Sequence, residues 1–408
     1  MKILFVSQHY RPEPFRLSDI CEDLVERGHE VTVLTGVPNY PEGKIYADYR
    51  NRQNRRETIE GVTVFRSYTI PRGKNTLHRI LNYFSFAISS SIGVLLGQYK
   101  AKDGSEFDCV FVNQSSPVMM AWAGMAYKNK YKKPLFLYCM DVWPDSLTVG
   151  GVKQDGLIFK LFKFISKKVY RASDYIFVTS PSFKNHFVNQ FDITEQKITY
   201  LPQYAEDLFI PDESIVNKES VDLTFAGNIG KAQNLETILK AASLIEKNTD
   251  LPKKIHFHFV GDGTELLSMK ALAHELELKN VSFYGRRSLE EMPTFYKKSD
   301  AMLVSLIGDS IVSRTIPGKV QSYMAAGKPI IGAISGDTKT IVEEANCGYV
   351  SSEQDVEQLA QNICEFSMLS IEEQKELGKQ ARSYYEKHFS KEQFMTQLEK
   401  YLREEFSS

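Results

Sequence analysis

LTFAGNIGKAQNLETILKAASLIEK (223–247) reads as one strand, one glycine-punctuated turn and one helix. Leu223, Phe225 and Ala226 form an apolar run, Gly227 and Gly230 bracket a turn, and from Leu235 onward apolar residues recur at helical spacing. The same alternation continues downstream through IHFHFVGDG (255–263), VSFYG (281–285), AMLVSL (301–306) and PIIGAI (329–334). Upstream it runs through ILFVS (3–7), EVTVLT (30–35), VTVFRSY (62–68), CVFVNQ (109–114), PLFLYCMD (134–141) and YIFVTS (175–180). Strands that alternate with helices imply parallel sheets covered on both faces. The pattern stops once, at ITYLPQYAEDLFIPDESIVNKES (198–220), where Pro202, Pro211 and polar residues mark a linker. The expectation is therefore an α/β chain of two doubly wound domains, 1–205 and 206–385, facing a cleft. A C-terminal helix, 386–408, is expected to follow and to return to the first domain.

The chain has 408 residues, enough for two or three domains, with 42% hydrophobic and 25% charged residues. These values exclude disordered and collagen-like classes. The 50 basic and 51 acidic residues exclude a globally basic nucleic-acid binder, so no nucleic-acid partner is expected. The balance is uneven: 27 basic against 19 acidic residues in 1–205, net +8, leave 23 and 32 in 206–408, net −9. Five scattered cysteines (Cys21, Cys109, Cys139, Cys347 and Cys364) without CxxC spacing encode neither a disulfide framework nor a zinc site, which fits a reducing cytosol. MKILFVSQHYR reads as a first strand rather than a signal peptide.

After that strand comes Ser7-Gln8-His9-Tyr10-Arg11-Pro12-Glu13, which is not GxGxxG, so a dinucleotide enzyme is disfavoured. No GxxxxGK[ST] string occurs either. The second half differs. Gly227-Asn228-Ile229-Gly230-Lys231 at a strand-to-helix turn suits an anion, because helix N-terminal amides and a lysine converge there; a plain tight turn is the alternative. Asp309-Ser310 and Ser313-Arg314 lead into Thr315-Ile316-Pro317-Gly318-Lys319, with Gln321 following. Lys319 falls in the first turn of a helix, where a cation opposes the helix dipole unless something negative sits beside it. Gly261 closes the next strand and Gly285-Arg286-Arg287 the one after. Four successive strand ends thus offer glycine or cation, the requirement of a bound diphosphate.

Two further segments bear on partners. Ile80 to Tyr99 carries no charge over 20 residues, but Asn82, Ser85, Ser89, Gly93 and Gly97 form a small or polar stripe at helical spacing. A packed or interfacial helix is favoured over a membrane span. LIFKLFKFISKKVYR (157–171) sets Lys160, Lys163, Lys167, Lys168 and Arg171 beside Phe159, Phe162, Phe164 and Ile165 with no acid, which suits an anionic membrane surface; an ordinary packed helix is the alternative.

These residues together resemble the retaining glycosyltransferases of family 4, which have the GT-B fold of two Rossmann-like domains. The likeness rests on RGHEVTVLTG (27–36), DVWPDSL (141–147), AGNIGKAQNLETIL (226–239), VGDG (260–263) and PGKVQSYMAAGKPI (317–330). GVPNYPEGKIY and DVWPDSL look like the branch of fucosamine-type transferases of O-antigen and capsule assembly. The resemblance implies a UDP-sugar donor on the second domain and a lipid-linked, polyprenyl-diphosphate glycan acceptor on the first, at the inner membrane face. The transferred sugar would be a hexose or an N-acetylated amino or deoxy sugar. It further implies retention through an oxocarbenium-like state, with phosphate oxygens of the departing nucleotide taking the hydroxyl proton.

Three departures from the family pattern stand out. Its glutamate pair falls on Arg314 and Ser322, its basic pair on Asn228 and Gln233, and its histidine before aspartate on Met140, while Asp141 keeps the aspartate. Lys231, Lys319 and either Arg286 or Arg314 are inferred to replace the missing cations. The expected catalytic residues are Asp141, Lys319 and Glu13. Asp141 alternatively caps a helix, and Glu13 is equally well a solvated loop residue. Expected donor contacts are Gly227, Asn228, Gly230, Lys231, Gly261, Arg286, Arg314, Pro317, Gly318 and Gln321; expected acceptor contacts are Asn113, Gln114 and Trp143, the last as a stacking face or else a core residue. No DxD motif closes a strand, so neither a metal nor another cofactor is expected. A nucleotide-sugar 2-epimerase of the same architecture and a non-enzymatic sugar-binding protein are the alternative readings.

Overall fold

The computed structural model describes residues 1–73, 75–148, 151–212, 219–248, 251–308 and 315–407. Arg314, with the rest of the 309–314 stretch, lies outside the described residues, as does 213–218 of the expected linker. The chain divides into two compact units. The first comprises Met1–Thr179, Phe183–Leu201 and Gln397–Ser408, and the second Ser180–Ser182 and Pro202–Thr396.

The first unit is built on an eight-stranded sheet. Its strands are β1 (Lys2–Val6), β2 (Glu30–Thr35), β3 (Arg56–Ile59), β4 (Val62–Arg66), β5 (Cys109–Gln114), β6 (Leu135–Cys139), β7 (Tyr175–Val178) and β8 (Ile198–Tyr200), in the order β3-β4-β2-β1-β5-β6-β7-β8. All neighbours are parallel except β3 and β4. β5 and β6 are buried along their whole length, and the rings of Phe5, Phe111, Phe177 and Phe136 follow one another across the sheet at 4.8–6.3 Å. Strands buried along their whole length in this way are those of a parallel sheet covered on both faces. The end of the chain completes this unit: Leu398 and Leu402 are buried, Tyr401 packs edge-on against Phe177, and Glu399 accepts from His29 and Arg27.

The second unit holds a six-stranded parallel sheet of β9 (Ser220–Ala226), β10 (Lys254–Val260), β11 (Val281–Gly285), β12 (Ala301–Ser305), β13 (Ile330–Ala333) and β14 (Gly348–Ser351), ordered β11-β10-β9-β12-β13-β14. Its core joins Leu223, Phe225, Phe257, Phe259 and Leu303 to Ile238, Leu239 and Ile363 of the covering helices.

Three readings of the sequence need correction. RETI at β3 alternates charge with a half-buried face, so it carries no apolar run, and its place is fixed by antiparallel pairing with β4. The presumed linker begins with β8, whose Ile198 is buried beside β7. The helix expected at 386–408 is instead the end of one helix, Ile371–His388, which opens on a Ser370–Glu373 capping box, and a second, Lys391–Ser407.

Candidate functional site

In a doubly wound sheet the ligand crevice opens at the carboxyl edge where strand order reverses. In the second unit the chain winds outward from β9 through β10 to β11, then returns to place β12 on the other side of β9, so the reversal lies between β9 and β12. The loops at that point are Gly227–Gly230 and the segment entering the helix Gly318–Ala325.

The glycine loop is strapped down on both sides. Gly227 N–H donates to Val260 O at 2.9 Å, and Ile229 N–H donates to Asp262 O at 2.9 Å. Gly261 adopts φ +149°, and a Cβ there would stand 1.8 Å from Gly227 O, so two backbones meet where no side chain fits. The end of β9 is fixed by Tyr323, whose hydroxyl donates to Ala226 O (3.1 Å) and accepts from Ala226 N–H (2.9 Å). Gly227 and Asn228 remain exposed.

Lys319 projects into this frame. Its Nζ lies 3.7 Å from the centroid of the Phe225 ring and donates to Gln233 Oε1 at 2.6 Å. A Cβ on Gly227 would come within 3.1 Å of the same Nζ, so the glycine leaves the ammonium its room. Burial against this apolar floor pushes Lys319 down to about 7, so near neutrality it changes charge readily. Arg286, directly after β11, and Lys231 are exposed cations of the same unit. Gln321 does not behave as expected. It is buried, and its amide lies 2.8 and 3.3 Å from the carbonyl oxygens of Pro317 and Gly318, so it closes its own helical turn instead of facing a ligand.

In the first unit the order reverses between β1 and β5. Asp141, two residues past β6, is half-buried and accepts from Trp143 Nε1–H at 3.1 Å. Burial raises its carboxyl to about 6, while the Trp143 indole and the Ser146 and Ser116 hydroxyls oppose the rise. Trp143 is 2% exposed and packs between Tyr83 and Phe162, so it presents no open face to a sugar; it holds the Asp141 loop. Gln114 is likewise buried, with its Nε2 donating to the Ser115 and Asp141 carbonyls. Asn113 is a buried residue of β5 in register with Tyr138. Asn113 and Gln114 at the end of β5 and Trp143 in the loop after β6 are thus all covered.

Glu13 is not a solvated loop residue. Its Oε1 accepts from Asn39 N–H and Tyr40 N–H, both at 2.7 Å, and its Oε2 meets His9 Nδ1 at 2.8 Å. Sequence reasoning passed over His9, Tyr323 and the role of Gln233. A histidine and a glutamate four residues apart in a strand-end loop were the available signal for His9, whereas nothing in the sequence marks the other two. The structure brings Gly227, Gly261, Phe225 and Lys319 together in one unit, and Asp141, Gln114 and Trp143 in the other. Among the described residues no group of three or more His, Cys, Asp or Glu side chains is arranged to hold a metal.

This pair of sheets, each with its crevice at the reversal point, is the GT-B architecture. Residues 16–203 match the model of Glycosyltransferase Family 4 and residues 208–384 that of Glycosyl transferases group 1, so the chain belongs to the glycosyltransferases that join these two domains. It is 26% identical over 354 residues to WcaI of Escherichia coli (strain K12), a glycosyl transferase named for colanic acid biosynthesis, covering 80% of this chain and 82% of that one. It is 25% identical over 269 residues to the glycosyltransferase WbjE of Pseudomonas aeruginosa, covering 62% and 65%. Among solved structures, sucrose-phosphate synthase of Thermosynechococcus elongatus superposes with a TM-score of 0.74 at 16% identity, covering 100% of this chain and 99% of that one. Anabaena HepE in complex with UDP and glucose gives 0.69 at 16% identity, covering 99% and 100%.

Proposed function

We propose that this glycosyltransferase moves a sugar, with retention, from a UDP-sugar held by the second unit to a lipid-linked glycan held by the first, in the synthesis of a surface polysaccharide. The observation that carries the reading is Lys319 at the reversal point of the second sheet, a poorly solvated cation beside a glycine turn. A diphosphate placed there keeps the ammonium charged and takes the negative charge that grows as the sugar leaves. Lys231 and Arg286 add positive charge and make a bridging metal unnecessary in this reading. Asp141 lines the acceptor side. The naming of WcaI for colanic acid and the UDP bound by HepE support the substrate classes.

Two helices of the first unit support a reading of work at the inner membrane surface. Among the described residues no helix is long and apolar enough to cross a membrane. The helix Thr76–Leu95 instead turns its polar stripe inward: Asn82 bonds Gln8 and the Ile70 carbonyl, Ser85 accepts from Ile70 N–H, and Ser89 donates to Tyr68 O. Its outer face shows Leu81, Ile88, Ile92 and Leu95 to solvent. The helix Leu157–Ala172 exposes Leu157 (85%), Ile158, Leu161 and Phe164 with Lys160 and Lys168. Both helices pack on Trp143, through Tyr83 and Phe162. Apolar residues ringed by lysines suit an anionic bilayer, at about 1 kcal/mol per cation.

A thermal-shift panel of UDP-, GDP- and dTDP-sugars, with and without chelator, tests the donor. UDP at about 100 times its Kd stabilises by about 2.7 kcal/mol, a rise of several degrees. No rise with UDP or UDP-sugars, or a rise abolished by chelator, refutes the assignment.

A further inference from the structure

We infer that Arg55 and Arg52 form a phosphate subsite of the first unit that holds the diphosphate of the lipid-linked acceptor. The inference rests on the proposed acceptor class and deepens it. Arg66 ends β4 at the carboxyl edge of the parallel strands, the edge that a doubly wound sheet offers to ligands. Arg55, the residue before the antiparallel β3, lies opposite it, because Arg66 N–H donates to Arg55 O at 2.8 Å. The chain thus brings two arginines to one corner of that edge.

The two are held very differently. Arg66 has a fully buried side chain whose nitrogens donate to Glu57 and to the Gly36 and Arg11 carbonyls, over the face of Tyr49. Among the described residues the Arg55 guanidinium makes no hydrogen bond and no ion pair, although its Nη1 is sealed from solvent. The ionisable groups that act on it are Arg52, Arg66 and Tyr68, with no carboxylate among them; Arg52 is exposed and likewise unpaired among the described residues. A half-buried cation without a partner costs free energy that an anion on its open edge would offset. That edge is Nε and Nη2, which are not sealed and which form the side-on fork that fits two phosphate oxygens.

What lies next to this corner points to a lipid as the bearer of the phosphate. Tyr68 is 63% exposed, and its carbonyl accepts from the Ser89 hydroxyl of the helix Thr76–Leu95, whose Ile88 and Ile92 face solvent. A phosphate beside an apolar helix face is the arrangement of a lipid headgroup. A bulk headgroup needs only exposed lysines such as Lys160, whereas a half-buried fork selects one particular phosphate. In the proposed reaction that phosphate is the acceptor's own.

The test uses the full chain and phosphatidylcholine vesicles, either plain, doped with a synthetic polyprenyl-diphosphate monosaccharide, or doped with phosphatidylglycerol to the same charge, with co-sedimentation as the readout. Arg55→Ala is expected to weaken binding to the diphosphate vesicles about tenfold or more and to leave binding to the phosphatidylglycerol vesicles unchanged. Arg55→Lys keeps the charge but not the fork and should fall between. In turnover, Arg55→Ala should raise the acceptor KM with kcat and UDP affinity held. Arg55→Met should melt at or above the wild-type temperature, because no bond is lost; a drop would assign the arginine to structure and overturn the inference. Arg55→Ala within about twofold of wild type on diphosphate vesicles, or an equal loss on both charged vesicles, also overturns it and leaves the transferase reading intact. A wild-type chain that binds diphosphate and plain vesicles alike overturns the lipid-linked acceptor as well, whereas UDP binding is read separately by thermal shift.

Discussion

On the proposed donor reading, Lys319 is expected to make UDP binding depend on pH in one direction only. With its ammonium at about 7 in the free protein, the charged fraction is roughly one tenth at pH 8 and one hundredth at pH 9. A diphosphate beside Nζ holds the proton on, so each bound UDP must take up nearly one proton across this range. Affinity is then expected to fall about tenfold from pH 8 to pH 9, or about 1.4 kcal/mol, and to flatten well below pH 7, where the lysine is already charged. The terminal phosphate of UDP, ionising near pH ~6, is fully charged by then and adds no slope. Titration calorimetry at the two pH values, in buffers of different ionisation enthalpy, reads both the affinity and the protons taken up. Lys319→Met should bind weakly and without the slope. A flat wild-type profile, or an equal slope in Lys319→Met, refutes the assignment. Stability follows the same group with the opposite sign. Between about 7 and 10.5 the unfolded chain binds the lysine's proton and the native one does not, so the fold gains stability as pH rises through that window.

Other outcomes follow from the same geometry. Gly261→Ala places a methyl against Gly227 O and should cost the second unit about 2–4 kcal/mol in urea unfolding and abolish UDP binding; retention of both would remove the backbone contact from the account. Asp141→Asn should raise the melting temperature at pH 8, where the native carboxylate is charged and poorly solvated, by the equivalent of about 1–3 kcal/mol, and leave it unchanged at pH 4, while activity falls. Equal shifts at both pH values would assign the effect to packing. Ile92→Glu combined with Leu161→Glu, both on exposed positions, should abolish co-sedimentation with vesicles rich in anionic lipid without moving the melting temperature; persistent co-sedimentation would exclude these helices as the contact.

The parallel strands were legible because each is a short run rich in Val, Leu and Phe of strand length between helical stretches, as CVFVNQ and EVTVLT illustrate. β3 was not, because its register depends on β4 and not on its own composition. Lys319 was legible as a cation placed against the helix dipole, and Gly227 as a turn that admits a close neighbour. Gln321 and Trp143 misled, since a polar or aromatic residue near a strand end looks the same in sequence whether it turns outward or inward. The pairing of Glu13 with the amides of residues 39 and 40 joins the loops after β1 and β2, and no local pattern announces a contact between residues 26 or 27 positions apart.

The double hydrogen bond of the Tyr323 hydroxyl to Ala226 ties a helix to a strand at the reversal point of the second sheet. A rivet between the helix that carries Lys319 and the strand that feeds the glycine turn lets these two parts shift only as one rigid piece. The entropy of arranging them is spent when the chain folds, so on the proposed donor reading a nucleotide would meet a frame set in advance.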